Sequence, residues 1–232
     1  CETGGIVSTN KNGTIEGCTV IGKTVIRGRT NTAGIAALNT GTVIECTISN
    51  VDIMTETDRT DIYTFGGIVA VNNGSVESCT CGDGVEIRGG EIVGGLVGEN
   101  VNTVQNSTVK SAVEVSGTEI VGGVIGDNSE SSIVRNVIVQ NCYVHGDKYI
   151  GGITGMSSSV HKQVISDSKV AWCRKYGSLF GYLRSGSKSS NCYTTCDSDV
   201  SVVGSKSDSV SIDTLYEKPN SDLDTLRTLC LT

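Results

Sequence analysis

The phrase EIVGGLVGEN, residues 91–100, returns as EIVGGVIGDN at 119–128, with seven of ten positions the same. The core of the phrase recurs along the chain as GGIVS (4–8), AGIAA (33–37), GGIVA (66–70), GGLVG (94–98), GGVIG (122–126), GGITG (151–155) and GSLFG (177–181). Successive starts lie 29, 33, 28, 28, 29 and 26 residues apart. The third place is always large and aliphatic, from Ile6 and Ile35 to Ile153 and Leu179. The first, second and fifth are always Gly, Ala or Ser. A fixed period of this size is the mark of a stacked-repeat architecture.

A second phrase follows the first: NGTIEGCTV (12–20), TGTVIECTI (40–48), NGSVESCTC (73–81) and VNTVQNSTV (101–109). Asn-Gly predicts a tight turn with positive φ. A third apolar stretch, such as VEVSGTEIV (113–121), precedes the next glycines. Each period thus holds about three short strand candidates separated by turn residues. The expected fold is all-β: a parallel β-helix, or solenoid, of about seven turns with a period near 28. Equivalent residues of successive turns then stack at about 4.8 Å, and seven turns make a rod about 34 Å tall. Large aliphatic residues fill the interior, and small ones sit where backbones approach closely.

Composition agrees. The 232 residues include 30 glycines but a single proline, with 37 % hydrophobic and only 4 % aromatic residues, so the core is aliphatic. The formal net charge is −7, and no run of Lys or Arg forms a basic patch, which argues against nucleic acid and anionic membrane surfaces as partners. No stretch of 18 apolar residues is present, so no membrane span is expected. The first residue is Cys1, which suggests a processed product or an excised piece.

GLVG at 95–98 resembles the GLUG motif, and GVIG (123–126) and GITG (152–155) look like variants of it. GLUG repeats occur in bacterial surface proteins, in adhesins and in non-catalytic regions of IgA-cleaving metallopeptidases. The resemblance covers roughly residues 1–205 and implies a solenoid of an exported, extracellular or cell-surface bacterial protein. The motif is structural and carries no catalytic residues to transfer. His145 and His161 are the only histidines, and no HExxH zinc-peptidase signature exists.

Among ten cysteines, Cys18, Cys46, Cys79 and Cys192 take one repeat position, with Ser107 and Ser168 in their place elsewhere. A buried ladder of free thiols and a set of disulfides both remain open. No paired CxxC knuckles point to zinc, and neither histidine is tied to a cysteine by any motif, so neither a metal nor another cofactor is expected.

Two regions are candidate binding sites. The one long period inserts TETDRTDIYTF (55–65), where Arg59 and Tyr63 are residue types favoured at recognition hot spots. From residue 171, AWCRKYGSLFGYLRSGSK gathers Trp172, Arg174, Tyr176, Tyr182 and Arg184 with Lys175 and Lys188. This is either an aromatic, basic patch for an acidic glycan or host protein, or a set of large side chains closing the end of the core. Residues 206–232 form an extension. Within it Ser221 can cap a short helix to about Leu231 with Leu223, Leu226 and Leu229 on one face, covering the open end. Cys1 has no such cap before it, so neighbouring domains or further copies are expected to stack on the solenoid ends.

Carboxylates are scattered across the turns rather than collected at one repeat position, so the reading favours a structural or adhesive module. A carbohydrate- or host-protein-binding module comes next, then a polysaccharide-degrading β-helix enzyme. Thr14/Thr42 and Thr19/Thr47 begin threonine ladders of the sort an ice-binding face needs.

Overall fold

The computed structural model describes residues 2–56, 63–170, 175–195 and 200–217, with side chains to residue 212. It is an all-β parallel solenoid, with no helix among the described residues. Every strand pair is parallel and joins residues one period apart, as in Ile92↔Ile120, Val93↔Val121 and Gly94↔Gly122. Three faces result. The first is a seven-stranded sheet from Thr3–Gly4 to Lys175–Gly177, so six full turns separate its first and last strands. The second has eight strands, from Val7–Asn10 to Val203–Lys206. The third is a bent, 14-stranded surface that carries two or three short strands in each of the lower turns and one long strand in each of the upper ones. Ladder pairing continues past residue 205 into Ser211–Glu217, which pairs with Lys188–Thr194. The helix expected over 221–231 lies outside the described residues.

The aliphatic column forms as the repeat demands. Ile68 N–H donates to Leu96 O at 2.8 Å, and Leu96 N–H to Val124 O at 2.9 Å. Ile35, Ile68, Leu96, Val124, Ile153 and Leu179 are all 0 % exposed, while Ile6, covered on one side only, is 43 % exposed. The glycines serve close approach. A Cβ on Gly95 would lie 2.1 Å from Gly123 O, and one on Gly98 2.5 Å from Thr64 Cγ2 on the adjacent face.

The Asn-Gly turns differ from expectation. Asn12 has φ 57°, but the position that is left-handed in every turn falls five residues later: Gly17, Glu45, Ser78, Asn106, Asn136, Gln163 and Asn191, at φ 51° to 61°. This bend splits the third face, and it places the two threonine ladders on opposite sides of a corner rather than on one flat surface. The glycine of the Asn-Gly pair is needed for space instead: a Cβ on Gly74 would sit 2.0 Å from Gly41 O.

The asparagine just ahead of that turn has a larger role. Asn10, Asn39, Asn72, Asn100 and Asn128 stack in the interior, and each of the first four donates from Nδ2 to Oδ1 of the next at 2.8 Å. Asn39, Asn72 and Asn100 also donate to the carbonyl two residues on, at 3.0–3.2 Å. Each of those carbonyls also accepts a backbone N–H from the next turn, so the side chain adds a second donor at the corner, and Asn39 and Asn72 Oδ1 accept the N–H of Gly41 and Gly74. The ladder ends at Ser157 and Ser159, to which Asn128 donates.

Candidate functional site

The cysteine column is a further structural device. Cys18, Cys46, Cys79 and Cys192 are free, and each thiol faces the carbonyl two residues before it, at 3.2–3.5 Å. Ser107 Oγ makes the same bond to Gln105 O at 2.8 Å, which explains why Ser and Cys exchange here. The remaining members are Val137 and Val164; Ser168, expected in this column, stands in another. Cys79 is pushed well above the ordinary thiol range, first by its hydrogen bond with Cys46 and then by burial. Burial likewise raises Cys81 and Cys142. Such thiols are poor nucleophiles.

Higher in the stack the interior turns polar. The column Val43, Val76, Val104, Val134 continues as His161 and Ser189. His161 is 0 % exposed, packs 4.6 Å from the Phe180 ring centroid, and shares a 3.3 Å contact between Nε2 and Thr154 Oγ1. Its Nδ1 and Ser189 Oγ have no hydrogen-bond partner among the described residues. Burial lowers its pKa from 6.5 to about 3. Above pH 6.5 the ring is neutral in both states and pH has no leverage through it. Between about 6.5 and 3 only the unfolded chain takes up the proton, so stability falls with falling pH, by about 1.4 kcal/mol per unit. Urea midpoints across this range should show His161→Val with a shallower decline than the parent; an identical slope in both contradicts the burial.

Of the sequence candidates, Arg59, Trp172 and Arg174 lie outside the described residues. Tyr63 is 6 % exposed and belongs to the core rather than to an accessible loop surface. Tyr176 continues the interior column of Phe65, Val93, Val121 and Ile150, and is 36 % exposed. Phe180 is buried in the core, and Lys188 lies on the third face. Lys175, Tyr182 and Arg184 come together on the outer surface, joined by two residues from the turn below, Lys148 and Tyr149.

These residues lie where the first and second faces meet. The outer column of the first face reads Ile92, Ile120, Tyr149, Lys175. That of the second reads Glu99, Asp127, Met156, Tyr182. Between them runs a stripe of Gly98, Gly126, Gly155 and Gly181, onto which the first-face side chains pack: a Cβ on Gly126 would meet Ile92 Cγ2 at 2.7 Å. The glycines are buried beneath those side chains, and the outer columns of the two faces close over them. Tyr149 and Tyr182 are half-buried, with ring centroids 5.4 Å apart and planes inclined by 38°. Lys175 Nζ lies 5.5 Å from both centroids, and Lys148 Nζ 5.5 Å from Tyr149 while paired with Glu119 at 3.0 Å. Arg184 reaches back two turns to hold Asp127 through two bonds of 2.8 and 2.9 Å. Glu99 has its pKa raised, by burial first and then by the charge of Asp127.

An open groove of about 360 Å³ lies near the third face and includes Ser116, Thr118, His145 and Asp147. His145 Nε2 lies 3.2 Å from Glu114 Oε1, its ring stacks 5.2 Å from Tyr143, and Glu114 also meets Arg88. Ser116 donates to Ile87 O, not to the histidine. Among the described residues no three His, Cys, Asp or Glu side chains cluster as a metal-binding group.

No family model and no curated protein matches this sequence. One solved structure does match in fold. It is a Bacteroides ovatus protein described as a "putative immunoglobulin A1 protease", 17 % identical, aligned over 95 % of this chain and 71 % of that one with a TM-score of 0.59. At that identity the likeness concerns the solenoid itself.

Proposed function

We propose that this chain is a non-catalytic structural or adhesive β-solenoid module of an exported bacterial surface protein or filament, with neighbouring domains or copies stacked on its ends. One observation carries the reading. The residues that define the repeat are spent inside: the aliphatic column, the asparagine ladder and the small residues at close approaches are buried. The pattern preserved from turn to turn thus encodes a rod. The GLUG-like phrases and the fold of the Bacteroides ovatus protein support placing the rod in a larger surface-associated polypeptide. Purified chain incubated with immunoglobulin A1 and with a polysaccharide panel should release no fragments. Cleavage that one substitution at His145 or Glu114 abolishes would overturn the non-catalytic reading. A second reading, a carbohydrate- or host-protein-binding module, is favoured by the half-exposed tyrosine pair where the first and second faces meet.

A further inference from the structure

We propose that Cys18 and Cys46 form a redox site, at which a peroxide oxidises Cys18 and Cys46 then closes a disulfide onto it, clamping the first turn to the second. The two cysteines stand just ahead of the register partners Thr19 and Thr47, and each follows a left-handed residue, Gly17 or Glu45. Ladder bonds fix their backbones on both sides: Gly17 N–H donates to Ile44 O at 3.1 Å, and Thr47 N–H to Cys18 O at 2.9 Å. One rung of about 4.8 Å lies within the Cα separation that a disulfide spans. Cys46 Sγ leans down the rod axis, 3.6 Å from Ile15 O in the turn that carries Cys18. Closure thus asks for rotation of side chains on strands that are held in place.

The two thiols differ as a two-step oxidation requires. Cys18 is partly exposed, so a peroxide reaches it, whereas Cys46 is 0 % exposed. The hydrogen bond from Cys79 holds the Cys46 thiol down to about 7, against the opposing effect of burial, so thiolate is present at neutral pH. Cys79 itself is raised and stays protonated. In the first step the Cys18 thiolate attacks the peroxide; an S–O bond forms, the O–O bond breaks and hydroxide leaves. In the second the Cys46 thiolate attacks the Cys18 sulfur; the S–S bond forms, the S–O bond breaks and a second hydroxide leaves. The peroxide takes up the two electrons the sulfurs lose, and the two thiol protons turn both hydroxides into water. Among the described residues the first turn has a neighbour on one side only, and Ile6 and Ile21 on it are exposed, so the bond would hold the least supported turn.

The test uses the full chain, reduced and then treated with hydrogen peroxide, with tryptic mapping in the absence of reductant. Trypsin separates the thiols: Cys18 falls in 12–23, Cys46 in 30–59 and Cys79 in 60–88. Peroxide should join 12–23 to 30–59 with the loss of two hydrogens, and amide exchange in the first turn should slow roughly tenfold. Cys46→Ser should abolish the joined peptide and leave Cys18 as a sulfenic acid that dimedone labels. Cys79→Ser keeps a hydroxyl donor, as Ser107 does in this column, and should leave the crosslink intact. The site is wrong if no joined peptide forms, if 30–59 joins 60–88 instead, or if Cys79→Ser removes the crosslink. The clamp is wrong if the joined chain exchanges as fast as the reduced one. None of these results touches the rod reading, which rests on the buried columns and on the absence of cleavage.

Discussion

Leu96→Asp should unfold the chain or lower its stability by about 5 kcal/mol, near the upper end of what one substitution can cause. Leu96 is 0 % exposed and sits between Ile68 and Val124, hydrogen-bonded through its backbone to both turns. Aspartate removes that apolar contact and puts a carboxylate where no cation or donor can reach it. Ile6→Asp makes the same chemical change in the same column, but at a position 43 % exposed. It should cost less than about 1.5 kcal/mol, since the charge keeps its water. Urea midpoints of the pair measure the difference. Equal, small losses in both would mean that Leu96 faces solvent.

Asn72→Ala ranks second, at about 3 kcal/mol. Asn72 donates from Nδ2 to Gly74 O, Asn100 Oδ1 and Thr103 O, and its Oδ1 accepts from Asn39 Nδ2 and from Gly74 N–H. Alanine leaves Asn100 Oδ1 without its 2.8 Å donor, Asn39 Nδ2 without its 2.8 Å acceptor and the Gly74 N–H without Oδ1, all in the interior. Asn10→Ala, in the first turn, breaks the bond to Asn39 but interrupts no chain, and should cost about 1 kcal/mol. Leu183 shows when the amide is dispensable: it follows Ser157 in the same column, above the point where the ladder has ended. A mild effect at Asn72 comparable to that at Asn10 would show that the ladder is incidental to stability.

The aliphatic column is legible in the sequence because it is a one-dimensional signal. A buried Ile, Leu or Val at one phase of a 28-residue period has no other reading, and Ile35 through Leu179 occupy the interior as expected. The asparagine ladder closes the very phrase that reveals the repeat, at Asn100 and Asn128. Asparagine just ahead of a turn reads as turn chemistry, however, and nothing local shows that its amide points inward to another asparagine 28 residues away. The cysteine position is half legible: Ser107 as a substitute fits a side chain that bonds two residues back, but Val137 and Val164 lie 30 and 27 residues beyond the member before them, off the 28-residue period.

The Tyr149–Tyr182 pair is the least legible feature. Tyr149 takes the place that Ile92 and Ile120 fill in lower turns, and Tyr182 the place of Glu99 and Asp127. Only stacking of two faces in register makes them neighbours. In the sequence Tyr182, Arg184 and Lys175 group together because they are close along the chain. The fold regroups them with Lys148 and Tyr149 from the turn below, and sends Phe180 and Tyr176 to interior columns.

Like residues of successive turns lying directly over one another is the premise of all of this, and distances along the rod test it most directly. Thr14, Thr42, Ser75, Thr103, Ile133, Val160 and Lys188 form one surface column by strand register. Nitroxides attached through encoded azido residues at 14 and 133, and at 14 and 188, should give narrow pulsed-EPR distances of about 19 Å and about 29 Å, four and six rungs at about 4.8 Å each. Broad distributions, or distances that do not grow in the ratio of the rungs, would contradict the stacked solenoid.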